Sequence, residues 1–178
     1  MSRLPLRLGV VYDFRNPPDS GIETWRLYAE ILEQVAWLDT LGLDLVWFTE
    51  HHFVDDGYLP SWTPVAGAMA ARTARVRFSS DICLLPFSHP VRLAEDLAVL
   101  DNLSGGRIEL GVGMGYAPHE FRGFGVPQAA IAHDAATAIH AALNSCANRR
   151  RPSVPKRANV TGCQFRGAVD RLIVETTK

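Results

Sequence analysis

Glu50, His51 and His52 stand in a row at the end of the apolar run LVWF, and the aromatic, acidic stretch FVDDGYLP follows them. A carboxylate beside two imidazoles can serve a metal, acid-base chemistry or simple packing. Successive side chains on an extended strand point to opposite faces, so adjacent histidines cannot aim at one ion while the strand stays regular. The order also lacks the helical i, i+4 histidine pair of zinc proteases. The spacing therefore argues against a metal. It leaves acid-base or hydrogen-bonding use of one histidine, because imidazole titrates near neutral pH, beside the plainer reading of a histidine satisfied by its neighbouring carboxylate.

Three glycines alternate in LGVGMGY, at positions 111, 113 and 115. They leave one face of a strand end without side chains, where a flat ring could lie on bare backbone or another strand could pack tightly. The dinucleotide pattern GxGxxG fails, since Pro118 and its surroundings supply neither the third glycine nor the later acidic residue. In SHPVRLAED, Ser88 or His89 can cap a helix that Pro90 opens, Arg92 and Asp96 form an i, i+4 ion pair, and Glu95 is placed to reach Arg107. Asp13, Arg15 and Asn16 can orient a ligand, although capping the Pro17-Pro18 turn suits their chemistry better.

The elements that must position these residues follow from periodicity. Strands are predicted at residues 6–12, 43–49, 76–85 and 107–113. Helices are predicted at 22–40, introduced by Asp19-Ser20-Gly21 and stopped by Gly42, at 63–73, capped by Thr63 before Pro64, and at 90–102. A strand recurring every ~30–38 residues is the rhythm of βαβ units and a parallel sheet. Right-handed crossovers then point all strands one way, so their C-terminal ends share a rim. Asp13, Arg15, Asn16, Glu50, His51, His52, Ser88, His89, Met114 and Tyr116 all fall on it, where parallel α/β folds bind ligands.

The composition, 47% hydrophobic and 21% charged over 178 residues, suffices for one sizeable core. A net charge of −1 gives no field to recruit nucleic acid or an anionic membrane. Cys83, Cys146 and Cys163 form no CxxC pair, so neither a disulfide framework nor a zinc ribbon is indicated. No signal or spanning segment is visible, and a cytoplasmic protein is the default. Beyond residue 127 the character changes. Residues 128–147 are alanine-rich and suited to a helix, whereas 149–178 carry RRRPSVPKR and no strand-helix rhythm, and read as poorly ordered or loosely docked.

Taken together, TEHHF, LLPFSHPVRLAEDLAVLDNLSGGRIELGVGMGY and PHEFRGFG resemble the bacterial-luciferase-like flavin monooxygenases and their deazaflavin-dependent relatives. The resemblance runs from about Leu6 to Pro127. It implies an α/β fold, a partial (β/α)8 TIM barrel of four N-terminal βα units over residues 1–127, followed by an atypical tail over 128–178. It further implies reduced FMN or a deazaflavin coenzyme at the rim, with O2 and a small organic substrate, and a flavin reductase as supplier. His51 matches the catalytic histidine, with Glu50 and His52 as neighbours setting its tautomer. Asp81-Ile82 falls where the third strand bulges behind the flavin ring, often through a non-proline cis peptide. Gly113 and Met114 match positions beside the flavin. Several flavin-binding members carry an arginine at the position of Met114, which leaves room here for the deazaflavin branch. A complete barrel needs about 250 residues, so truncation or a frameshift is expected to have replaced the second half. Exposed sheet edges would then favour a homo-oligomer, or an inactive half-barrel surviving as a partner-bound fragment.

Overall fold

The computed structural model describes residues 7–128 and 172–174. The elements are β1 (Gly9–Tyr12), α1 (Thr24–Thr40), β2 (Leu45–Phe48), α2 (Trp62–Ala70), β3 (Arg77–Ser80), β4 (Cys83–Leu84), a 3-10 turn (Leu85–Phe87), α3 (Pro90–Ser104), β5 (Ile108–Gly113), α4 (Pro118–Phe124) and β6 (Leu172–Val174). All strand pairings are parallel. The sheet order is β1-β2-β3-β5-β4, and β6 pairs with β5. The alternation of strand and helix is that expected from the sequence, and the C-terminal ends of the first strands do face one way.

One core lies between sheet and helices. Even-numbered strand residues Val46, Phe48, Phe78, Ile108, Leu110 and Val112 pack against Ile31, Val35, Ala66, Met69, Leu93 and Leu97. The period of two in the strands and of three to four in the helices brings these faces together. Odd-numbered residues take the other face, where Arg77 Nε lies 2.5 Å from Glu109 Oε1.

Several boundaries move for identifiable reasons. Asp19-Ser20-Gly21 does not cap α1, whose N-cap is Glu23. Instead Ser20 Oγ donates to Asn16 Oδ1 at 2.6 Å and accepts from Ile22 N at 3.1 Å, closing a loop. Gly42 does follow the helix end, with φ of 88°. Helix α2 starts after Ser61 rather than Thr63. Arg107 does not pair with Glu95. Its guanidinium donates to the carbonyls of Ala70, Thr73, Val76 and Ser104, three of them at or just beyond helix ends, where orphan carbonyls need donors. Glu95 lies 3.7 Å from Arg92, which also reaches Asp96 at 3.5 Å.

The predicted third strand is broken in two. Ser79 to Cys83 is four steps, while the paired Glu109 to Val112 is three, so the strand carries one extra residue, a β-bulge. The Asp81–Ile82 peptide bond inside it is cis. Beyond Phe124 the expectation of a helix over 128–147, and most of the tail, lies outside the described residues. Leu172–Val174 form a strand, which the sequence reading did not anticipate. Among the described residues no helix is long and apolar enough to cross a membrane.

Candidate active site

The end of β2 is held by the loops on either side of it. His51 N donates to Leu59 O at 3.2 Å, and Leu59 N donates to Asp13 O at 2.9 Å. The loop between β2 and α2 is thereby folded back on the loop after β1. Arg15 pairs with Asp56 at 2.6 Å, Asn16 N donates to Asp56 O at 2.6 Å, and Asp13 Oδ1 accepts from Arg15 N at 3.1 Å. Asn16 Nδ2 donates to Ile22 O at 2.9 Å. Asp13, Arg15 and Asn16 thus build turns, the reading their chemistry favoured, and what they deliver is Tyr58. Its ring meets His51 edge-on at 4.8 Å, and Tyr116 does the same from the other loop at 5.9 Å.

The side-chain alternation of an extended strand continues past Phe48. Glu50 and His52, two apart, face one another, with His52 Nε2 to Glu50 Oε1 at 2.9 Å. His51, between them, points elsewhere and takes its partner from α4, with Nδ1 to Glu120 Oε1 at 2.9 Å. The same oxygen accepts the backbone N–H of His52 at 2.9 Å. The expectation that Glu50 and His52 set the tautomer of His51 is therefore corrected. Their mutual pairing is the consequence of i, i+2 spacing, and the carboxylate that touches His51 is Glu120. Glu120 is fully buried, and its Oε2 has no hydrogen-bond partner among the described residues. His52 is enclosed by aromatic rings, with Phe124 at 4.8 Å, Phe87 at 5.8 Å and Phe53 at 6.3 Å.

The two imidazoles serve different cavities. A pocket of about 260 Å³ is lined by Glu50, His51, Tyr58, Asp81, Ile82, Gly113, Met114 and Tyr116 among others. A second cavity of about 480 Å³ has His52, Cys83, His89 and Arg92 in its wall and shares Glu50 with the first. Burial pushes the Cys83 thiol up, with Glu50 adding to the effect, so that thiol stays protonated and is no nucleophile. His89 and Ser88 line this second cavity, away from His51.

Two of the three glycines in the strip have different explanations. A Cβ on Gly111 would lie 2.4 Å from Ser80 O, so this glycine admits the bulged strand. Ser80 Oγ then closes the gap, donating to Gly111 O at 2.7 Å and accepting from Gly111 N at 3.1 Å. A Cβ on Gly113 would lie 2.8 Å from Ile82 Cγ2, and both residues line the pocket. The strip is therefore not bare: the bulge occupies it, and it is Ile82 over Gly113 that faces the His51 pocket.

All seven residues singled out in the sequence, Glu50, His51, His52, Asp81, Ile82, Gly113 and Met114, lie at this rim. Six of them line the smaller pocket, and His52 turns to the larger cavity. Sequence reasoning missed Glu120, Tyr58 and Ser80. Glu120 sits within the quoted stretch PHEFRGFG, where Pro118 opens and Gly125 ends a helix; that signature was available. Nothing local marked its pairing with a residue 69 positions away.

Comparison with known proteins follows the same pattern. The family described as luciferase-like monooxygenase matches residues 6–147. The chain is 36% identical over 111 residues to a 4-hydroxyprotoasukamycin monooxygenase of Streptomyces nodosus subsp. asukaensis, covering 62% of this chain and 29% of that one. Monooxygenase RslO1 from Streptomyces bottropensis superposes with a TM-score of 0.74 at 26% identity, covering 95% of this chain and 53% of that structure. The oxygenating constituent of 3,6-diketocamphane monooxygenase from Pseudomonas putida, a complex with FMN, shares the fold at a TM-score of 0.66 and 21% identity, covering 80% of this chain and 38% of that structure. The chain spans about a third of the length of the curated relatives it matches.

Proposed function

The chain belongs to the luciferase-like monooxygenase family, and from that premise we propose a flavin-dependent oxidoreductase in which the pocket beside His51 receives the ring of a reduced flavin. O2 and a small organic molecule are the co-reactants, and a flavin reductase is the source of the reduced cofactor, which suits a cytoplasmic protein. The observation that carries this reading is the convergence of His51, Ile82 and Gly113 on one pocket.

The residues present fit a flat, largely apolar ring. Gly113 lets Ile82 lie close over its backbone, Ile82 offers a branched aliphatic face, and Tyr58 and Tyr116 flank the imidazole. They do not fit a phosphate. The charged groups in that lining are Glu50 and Asp81, both acids, and Met114 brings no cation. This pocket is thus read as a ring site only. When bound, reduced flavin supplies the electron pair that activates O2.

The chain's own contribution is positional and protic. Ile82 and Gly113 back the ring and keep water from one face of it. His51 holds or moves a proton at Nε2, the ring nitrogen not engaged by Glu120. The Glu50–His52 hydrogen bond holds the Glu50 carboxylate in the wall of the pocket.

A second reading is hydride transfer with a deazaflavin, in which the same Nε2 exchanges a proton with substrate. Met114, where several flavin-binding members carry an arginine, leaves room for it. Anaerobic titration with reduced FMN, and separately with a reduced deazaflavin, tests both readings by which absorbance spectrum shifts and saturates. No change with either would overturn the flavin assignment and favour an inactive fragment.

A further inference from the structure

Glu120 Oε1 stands at 2.9 Å from two nitrogens, the backbone N of His52 and Nδ1 of His51. The first of these can only donate, so Oε1 must accept there. A proton on Oε1 would compete with that bond, and a proton on Oε2 would be a buried donor facing no partner among the described residues. The arrangement that satisfies both contacts keeps the carboxylate as double acceptor and the hydrogen on Nδ1. The backbone donor also fixes the carboxylate in place, so it cannot follow the imidazole if the ring turns. Tyr58 and Tyr116, both edge-on to the ring, limit such turning further.

We propose that Glu120 is a positioning residue that locks His51 in the Nδ1–H tautomer, so the pocket beside Ile82 and Gly113 meets Nε2 as a proton acceptor. The inference deepens the function proposed above and rests on it for its chemical meaning. In its neutral form His51 thus presents a base to the pocket, and Nε2 donates when the ring carries a second proton. Once protonated, the imidazolium lies against the Glu120 carboxylate, which stabilises that charge by direct contact. The same logic orients metal-bound and catalytic histidines through the hydrogen bond on the other nitrogen. Glu50, although adjacent in sequence, has no such contact with His51.

The test is the tautomer itself, read in the full chain with ¹⁵N-labelled histidine from long-range ¹⁵N–¹H correlations. The native chain is expected to show a protonated-type Nδ1 and a lone-pair-type Nε2 for His51. Glu120→Gln should keep that pattern, because the His52 N–H selects the amide oxygen for the Oε1 position. Glu120→Leu should lose it, with Nε2 becoming wholly or partly protonated, while the His52 signals, governed by Glu50, change little. An Nε2–H tautomer in the native chain overturns the proposal, as does an unchanged His51 pattern in a folded Glu120→Leu. Should Glu120→Leu fail to fold, the native and Glu120→Gln spectra still decide. The readout needs no flavin, so a chain that binds none refutes the flavin reading and not this one.

Discussion

Ser80 offers the sharpest perturbation of the site through the fold. Its hydroxyl both donates to Gly111 O, at 2.7 Å, and accepts from Gly111 N, at 3.1 Å. These two bonds bridge the place where the bulge separates β3 from β4. Ser80→Ala removes both and leaves the N–H of Gly111 without the hydroxyl that accepts from it in a buried strand. An unsatisfied buried donor costs about 1–3 kcal/mol, and that loss is expected here. With a urea dependence of ~1–3 kcal/mol per M, the unfolding midpoint should fall by roughly 1 M. Ser80→Thr keeps the hydroxyl and should recover most of the loss. The assay is equilibrium urea unfolding followed by far-ultraviolet circular dichroism and by tryptophan fluorescence, with flavin titration of the folded variants. Because the bulge sets Ile82 over Gly113, flavin affinity should fall in Ser80→Ala even under conditions where it is folded. An unchanged midpoint, or a threonine variant as unstable as the alanine one, would show that the Ser80 hydroxyl does not hold the bulge.

Gly111→Ala should be worse tolerated than Gly113→Ala, since the first clashes with a backbone carbonyl and the second with a side chain; unfolding midpoints should rank them, at about 1–3 kcal/mol for the first. Gly113→Ala should instead act on the pocket, displacing Ile82 and weakening flavin binding measured by titration. His51→Ala should abolish turnover in any active context while changing flavin affinity less than about tenfold, the value of one neutral hydrogen bond. Asp39 lies at the opposite end of the sheet. Burial alone would push its carboxyl up, but backbone N–H groups of Ala74, Val76 and Arg75, with the Arg75 guanidinium, outweigh it and hold the carboxyl below its ordinary range. Its contribution to stability is therefore present above the unfolded value near pH ~3.9 and lost as pH falls through the lower folded value. Asp39→Asn should flatten that part of the acid unfolding profile, and an identical profile would remove the linkage.

Much of the scaffold was legible because its determinants are local. Ile31 and Val35 sit one helical turn apart, and Val46 and Phe48 two residues apart, so the buried faces of α1 and β2 can be read from spacing. Gly42 and Pro90 mark a helix end and a helix start by backbone constraint. Starts were less legible at Asp19 and Thr63, since several capping residues compete within a few positions and tertiary hydrogen bonds such as Ser20 to Asn16 decide among them. Arg107 was misassigned because a guanidinium can answer either a carboxylate or a cluster of carbonyls, and only packing brings the carbonyls of two helix ends within its reach.

Residue pattern alone sets the strand-helix rhythm, the common direction of the strands and hence the rim to which Glu50, His51, Ile82 and Gly113 must come. Those are consequences of side-chain period and backbone handedness, which act over a few residues at a time. Tertiary packing was needed to give His51 its carboxylate, Glu120, whereas the Glu50–His52 pair follows from spacing two residues apart. Packing also decided that Ser80 closes the bulge on Gly111. Hydrogen-bond partners of buried groups are chosen by distance in space, and pairs 31 and 69 residues apart leave no periodic trace in the chain.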